Sequence, residues 1–96
     1  MKGEDIIEFF KNNKCELKKY GIRKIGLFGS YAKSQENENS DIDVLIEFEE
    51  GNKTFDNYMD FKFYLEDRFN KEVDLVIENN IKEDLKNAIL RSARYA

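Results

Sequence analysis

The segment DIDVLIEF, residues 41–48, restricts the fold of this chain more than any other feature. Every second residue from Ile42 to Phe48 is apolar, which is the two-residue period of a half-buried β-strand. Side chains alternate along a strand, so Asp41 and Asp43 point to the same face, with α-carbons about 6.5 Å apart. The predicted strand therefore begins with two carboxylates on one side.

The remaining elements follow from apolar spacing and turn residues. Two other short apolar runs predict strands over Ile22–Phe28 and Glu72–Ile77. Helical spacing and capping residues predict helices over Glu4–Lys19, over Phe55–Phe69 behind a Thr54 cap, and from a capping box at Asn80 and Glu83 through about Arg91. Ser30 is predicted to cap a short helical turn over Tyr31–Ser34. The fold class is α/β (α+β), with a small mixed sheet of about three strands flanked by helices.

The order of the elements predicts which side chains meet. A helix joins the second and third strands, so these should be parallel through a right-handed crossover, while the short first connection permits an antiparallel pair. Parallel neighbours bring Asp74 to the end of the sheet that carries Asp41 and Asp43. An antiparallel first strand would bring Gly29 and Ser30 to that end as well.

Composition limits the chemistry. Ninety-six residues suit one domain, residues 1–96, and no apolar run approaches the roughly 20 residues that span a bilayer, so we expect a soluble, cytoplasmic protein without a membrane partner. The chain has no histidine, and its single cysteine, Cys15, lies among polar residues, which disfavours thiol and zinc chemistry. A net charge of -4 with scattered lysines and arginines disfavours a nucleic-acid substrate.

Three neighbouring carboxylates need a compensating charge. Their mutual repulsion is relieved by a bound divalent cation or by a raised pKa, and hard oxygen ligands favour Mg²⁺. Gly29 permits close backbone approach, and the Ser30 hydroxyl with the amides of the following turn can hold phosphate. Together these features indicate nucleotide chemistry.

These residues carry a family resemblance. The motifs GSYAK, SDIDVLIEF and KEVDLV are similar to those of the minimal nucleotidyltransferases of the DNA polymerase beta superfamily. The resemblance implies a nucleotidyltransferase fold, two Mg²⁺ ions bound by Asp41, Asp43 and Asp74 as catalytic ligands, and ATP or another NTP whose phosphates contact Gly29 and Ser30. Relatives often have a glycine where this chain has Ser34.

The resemblance also implies a substrate. Small members commonly pair with a HEPN-domain toxin, to a tyrosine of which they add AMP, so the implied function is a protein adenylyltransferase that acts as an antitoxin and forms a hetero-oligomer with its toxin. One alternative is a binding antitoxin that neutralises its partner without catalysis. Another is transfer to a small molecule such as an aminoglycoside, which needs an acceptor pocket that a short chain hardly provides.

Each candidate residue also has a purely structural interpretation. Asp41 could be a turn residue, Gly29 and Ser30 a capped turn, and Asp74 the partner of a lysine in a salt bridge. Lys33 could contact a phosphate, but a solvated surface charge is the preferred interpretation. The aromatic residues between Phe55 and Phe69 are more than one buried helix face needs, so Phe63 or Tyr64 could belong to a partner surface, with core packing the preferred interpretation for most of the set.

Overall fold

Four strands form one mixed sheet: β1 (Ile22–Phe28), β2 (Ile42–Phe48), β3 (Val73–Ile77) and β4 (Arg94–Tyr95). The computed structural model describes all residues from Met1 to Ala96. Strand order is β3-β2-β1-β4, with β2 antiparallel to β1 and parallel to β3. The predicted mixed sheet and both strand directions are confirmed. The two-residue strand β4, antiparallel to β1, was not predicted because so short a strand leaves no sequence period.

Five helices accompany the sheet: α1 (Gly3–Asn12), α2 (Lys14–Lys19), α3 (Gly29–Ala32), α4 (Phe55–Phe69) and α5 (Glu83–Ser92), with a 3-10 turn over Glu78–Asn80. No helix is both long enough and apolar enough to cross a membrane. The hydrophobic core lies between one face of the sheet and the inner sides of α1, α2 and α4. Its largest fully buried side chains include Phe10, Phe61, Ile42 and Leu65. Helix α5 contacts α3 and β1 and buries none of its residues.

The helix predicted over Glu4–Lys19 is interrupted at Asn13. The Asn13 side-chain amide donates a hydrogen bond to the Phe9 carbonyl, 2.8 Å away, while its backbone amide bonds weakly to Phe10 at 3.4 Å. An asparagine side chain that takes the carbonyl normally bonded by the backbone competes with helix continuation. The single predicted helix is therefore two shorter ones.

The predicted caps have mixed outcomes. Thr54 caps α4, because its hydroxyl accepts a hydrogen bond from the Asn57 amide at 3.1 Å. The Ser30 cap is wrong: β1 runs directly into α3, so the cap position falls on Phe28, which has no side-chain acceptor. The capping box at Asn80 is also wrong, because Asn80 ends a 3-10 turn and the extended residue Ile81 separates it from α5.

Candidate active site

Asp43 and Asp74 are direct neighbours on adjacent strands. They are register partners in the parallel pairing of β2 with β3. Side chains of register partners point to the same side of a sheet, and adjacent strands lie about 4.8 Å apart. Both carboxylates lie on the face opposite the hydrophobic core, because the alternating residues Ile42 and Val44 are buried in that core. Asp43 is half-buried and Asp74 is exposed.

The charges around Asp43 are all acidic. Burial and, to a smaller extent, the neighbouring carboxylates of Asp74 and then Asp41 together raise the pKa of the Asp43 carboxyl to about 6. Asp41 is exposed and lies directly before β2. Desolvation and like charges both disfavour the ionised form of a carboxyl group. Asp41 and Asp74 are therefore close enough to Asp43 to disfavour its ionised form.

Gly29 lies against Asp43. Phe28 is the register partner of Asp43 in the β1–β2 pairing, and Gly29 follows with φ +70°, a conformation that residues with side chains rarely adopt. A Cβ at position 29 would lie 2.1 Å from Oδ2 of Asp43. Only glycine lets the backbone turn so close to the carboxylate. Ser30 follows in the first turn of α3.

With this geometry established, comparison with known proteins assigns the family. Residues 7–96 match the nucleotidyltransferase domain. The chain belongs to this family. The protein adenylyltransferase MntA of Thermococcus cleftensis is 34% identical over 93 residues, which cover 96% of this chain and 93% of that relative. A Methanocaldococcus jannaschii protein provisionally named a protein adenylyltransferase is 43% identical over 77 residues, or 80% of this chain and 82% of the relative.

Solved structures agree with this family. A protein provisionally described as a minimal nucleotidyltransferase has a TM-score of 0.82 and 30% identity, covering 98% of this chain and 95% of that one. A toxin–antitoxin crystal structure with AMP-PNP has a TM-score of 0.70 and 21% identity, covering 99% of this chain and 72% of that one. The latter similarity is one of fold. The predicted family, fold and enzyme class are thus confirmed, and this chain is a nucleotidyltransferase.

No basic side chain neutralises the acids of this nucleotidyltransferase. Its five ion pairs involve other residues, so the lysine partner considered for Asp74 is absent. Nor does any side-chain hydrogen bond join Asp41, Asp43 or Asp74 to another group of the chain. Carboxylates without a basic partner, one of which, Asp43, has a raised pKa, are donors that suit a hard cation such as Mg²⁺.

The acids do not form a closed metal cage by themselves. No group of three acidic or cysteine side chains converges tightly enough to hold a metal ion. Mg²⁺ commonly takes one or two carboxylates and completes its shell with waters and substrate phosphate oxygens. The donors present fit such an open site, and the predicted roles of Asp41, Asp43 and Asp74, like those of Gly29 and Ser30, stay predictions.

The site of the nucleotidyltransferase is an open surface. The largest cavity, about 390 Å³, is lined by Met1, Tyr31 and Lys71 among others, and none of the three cavities includes any of the three acids.

Lys33 is exposed and forms no ion pair, in agreement with a solvated charge. Nothing in the sequence singled out Lys62 and Glu66, which contact the backbone of Val73 next to Asp74. Their only signal was a spacing of four residues on a helix.

Proposed function

We propose that this nucleotidyltransferase transfers AMP from ATP, or another NMP from its NTP, to a tyrosine hydroxyl of a HEPN-domain toxin and so acts as a cytoplasmic antitoxin. The observation that carries this proposal is the register pair Asp43–Asp74 with the Gly29 backbone against it. An acidic pair beside a tight backbone turn suits a nucleotide whose phosphates need both a cation and amide donors.

Asp41, Asp43 and Asp74 are the residues that would hold Mg²⁺, two ions in all. When bound, Mg²⁺ supplies charge neutralisation for the phosphates and stabilises the attacking and departing oxygens. The carboxylates must be ionised to act as ligands, and Asp43 has a pKa of about 6 in the free chain. We therefore expect the site to bind Mg²⁺ more readily above pH 6, where Asp43 is ionised, than below it.

Other groups of the chain bind the nucleotide phosphates and accept the proton of the acceptor hydroxyl. Gly29 and Ser30 contact the β- and γ-phosphates, which orients the α-phosphate toward the acceptor. The acceptor oxygen attacks the α-phosphorus, a new phosphorus–oxygen bond forms, and the bond to pyrophosphate breaks. Asp74 is exposed, so a hydroxyl on a second protein can approach it and pass its proton to the carboxylate.

Two observations favour a protein acceptor. The acids lie on an open surface, which a folded partner can reach without entering a pocket. The relative from Thermococcus cleftensis, similar over 96% of this chain, is a protein adenylyltransferase. Structures of similar fold include a tri-AMPylated HEPN toxin in complex with an MNT antitoxin, with 19% identity. These similarities support the HEPN toxin as the partner to test first.

The test incubates the chain with Mg²⁺, each NTP in turn and the product of its neighbouring gene. Mass spectrometry of the partner measures added NMP, and released pyrophosphate gives the rate. We expect a gain of one or more AMP units, lost when Asp41→Asn and Asp43→Asn are combined and retained in Asp60→Asn, an exposed acid on α4. Unchanged transfer by the double variant would refute the assignment.

The competing function is neutralisation by binding alone. It predicts a tight complex, no mass gain with any NTP, and full inhibition of the partner by the double variant. Measuring complex formation and partner activity in the same samples separates the two functions.

A further inference from the structure

Strand β3, which carries Asp74, is the edge strand of the sheet and pairs only with β2. It is also short, at five residues. An edge strand has one side of backbone amides and carbonyls without partners in the sheet. The groups that bond to these free amides and carbonyls therefore determine how firmly Asp74 is held beside Asp43.

Helix α4 supplies those partners through side chains. The Lys62 ammonium donates to the Val73 carbonyl at 2.6 Å and to Oε2 of Glu66 at 2.8 Å. The same Glu66 oxygen accepts a hydrogen bond from the Val73 amide at 3.0 Å. One ion pair thus holds both backbone groups of the residue immediately before Asp74.

A third side chain acts on the other side of Asp74. The Tyr58 hydroxyl donates to the carbonyl of Leu75. Backbone groups of alternate strand residues point to the same side, so Val73 and Leu75 both present theirs outward toward α4. Asp74 lies between two residues that are held from the helix.

The Lys62–Glu66 pair differs from an ordinary surface ion pair. Its side chains are only 27% and 24% exposed, against 70% and 38% for the pair of Lys19 with Glu16. The hydrogen bond from Lys62, followed by that from the Val73 amide, lowers the pKa of Glu66. Glu66 therefore keeps its charge at neutral pH, and the pair is shielded enough to hold a fixed geometry.

We propose that Lys62 and Glu66 are positioning residues that hold β3 in the register in which Asp74 lies beside Asp43. This inference rests on the proposed function, because positioning matters only where Asp74 takes part in transfer. Without the pair, Tyr58 makes the one remaining side-chain hydrogen bond to β3, and small displacements at the first residues of the strand change the distance between the two carboxylates. A displacement of about 1 Å can lower a catalytic rate about 100-fold.

The experiment compares Lys62→Met, Lys62→Arg and the control Lys19→Met for transfer to the partner, below the Tm of each variant. Outer-shell substitutions that misplace ligands lower activity about 10- to 100-fold, and we expect such a fall in kcat for Lys62→Met with a KM for ATP close to wild type. The guanidinium of Lys62→Arg can donate to both Glu66 and Val73, so it should restore most of kcat. Lys19→Met should match wild type.

A purely structural role gives a different result. If Lys62→Met lowers the Tm but leaves kcat unchanged, the positioning role is overturned. Should Lys62→Met fail to fold, Glu66→Gln takes its place, because the amide oxygen keeps an acceptor for Val73 while the ion pair is lost.

A second measurement separates this inference from the proposed function. Backbone amide exchange of β3, followed by NMR without nucleotide, should be faster in Lys62→Met than in Lys19→Met. If the wild type transfers nothing to any acceptor, the proposed function fails and the exchange rates alone decide whether the pair holds β3. Equal exchange in both variants would overturn the inference.

Discussion

Replacing Asp43 with asparagine should stabilise the free protein while abolishing transfer. The carboxyl pKa rises from 3.8 to about 6 on folding, and one pKa unit corresponds to about 1.4 kcal/mol, so the ionised carboxylate destabilises the fold by at most about 3 kcal/mol. Asp43 is only half-buried, and solvent screening reduces this figure to about 1–2 kcal/mol. For a domain of this size, that corresponds to a Tm increase of about 4–16 °C in Asp43→Asn.

The effect must depend on pH in a defined direction. The folded state binds the Asp43 proton more tightly than the unfolded state, whose carboxyl keeps a pKa near 3.8. The destabilisation is therefore absent below about pH 4, grows as pH rises toward 6, and is complete above it. Asp43→Asn should gain its full stability relative to wild type at pH 8 and almost none at pH 4.

The assay is urea and thermal denaturation followed by circular dichroism, in EDTA, at pH 8 and pH 4. Asp60→Asn serves as the control, because Asp60 is exposed on α4 and forms no ion pair. A gain of the same size at both pH values, or a loss of stability at pH 8, would refute the reasoning. The first result would show that amide packing rather than charge is responsible, and the second that the carboxylate makes a stabilising contact.

Three further predictions follow from the same geometry. Gly29→Ala should lose transfer and should destabilise the fold by more than the roughly 1–2 kcal/mol that a positive φ costs by itself, because the new Cβ also meets Asp43. Gly51→Ala is the control: Gly51 has φ +83° and no atom within 4 Å of the added Cβ, so urea denaturation of this variant measures the cost of the positive φ alone. Ser34→Gly should stabilise by about 0.5–1 kcal/mol, because Ser34 has φ 59°, while Asn70→Gly at φ 52° should gain less, since asparagine tolerates this conformation. Adding Mg²⁺ with a non-hydrolysable ATP analogue should raise the free energy of unfolding of wild type by about 1.4 kcal/mol for each tenfold ligand excess over Kd. Thermal denaturation should show this as a higher Tm for wild type and no change for Asp43→Asn.

Much of the fold could be predicted because local patterns agree with tertiary packing. The alternating apolar residues from Ile42 to Phe48 form β2, which ends at Phe48 as predicted. The bounds of β1 and α4 are also those predicted. The errors fall where the conformation or the side chain of a single residue decides. Asn13 bonds the carbonyl that the helix needs, and Ile81 adopts an extended conformation that separates Asn80 from α5. Neither choice leaves a periodic signal.

The sequence predicted which residues share one end of the sheet, and no more. The parallel direction of β2 and β3 brings Asp74 to the end that carries Asp43, and the antiparallel β1 brings Gly29 there as well, but the register that makes Asp43 and Asp74 direct partners is known only from the structure. The contacts from α4 to Val73 were not predictable, because they depend on how far the helix lies from the strand edge. The left-handed φ of Ser34 was signalled only by the glycine that relatives often carry there, and the structure gives Ser34 the conformation that such a glycine would adopt without strain.

The position of Asp74 on an edge strand explains why this chain needs help from α4. The backbone of a central strand is held by hydrogen bonds on both sides, as that of β2 is by β1 and β3. The backbone of the edge strand β3 has no strand partner on one side, and its Asp74 is exposed. The Lys62–Glu66 pair occupies that free side without covering the carboxylate. In this arrangement Asp74 stays accessible, while the register of β3 is held from its free edge.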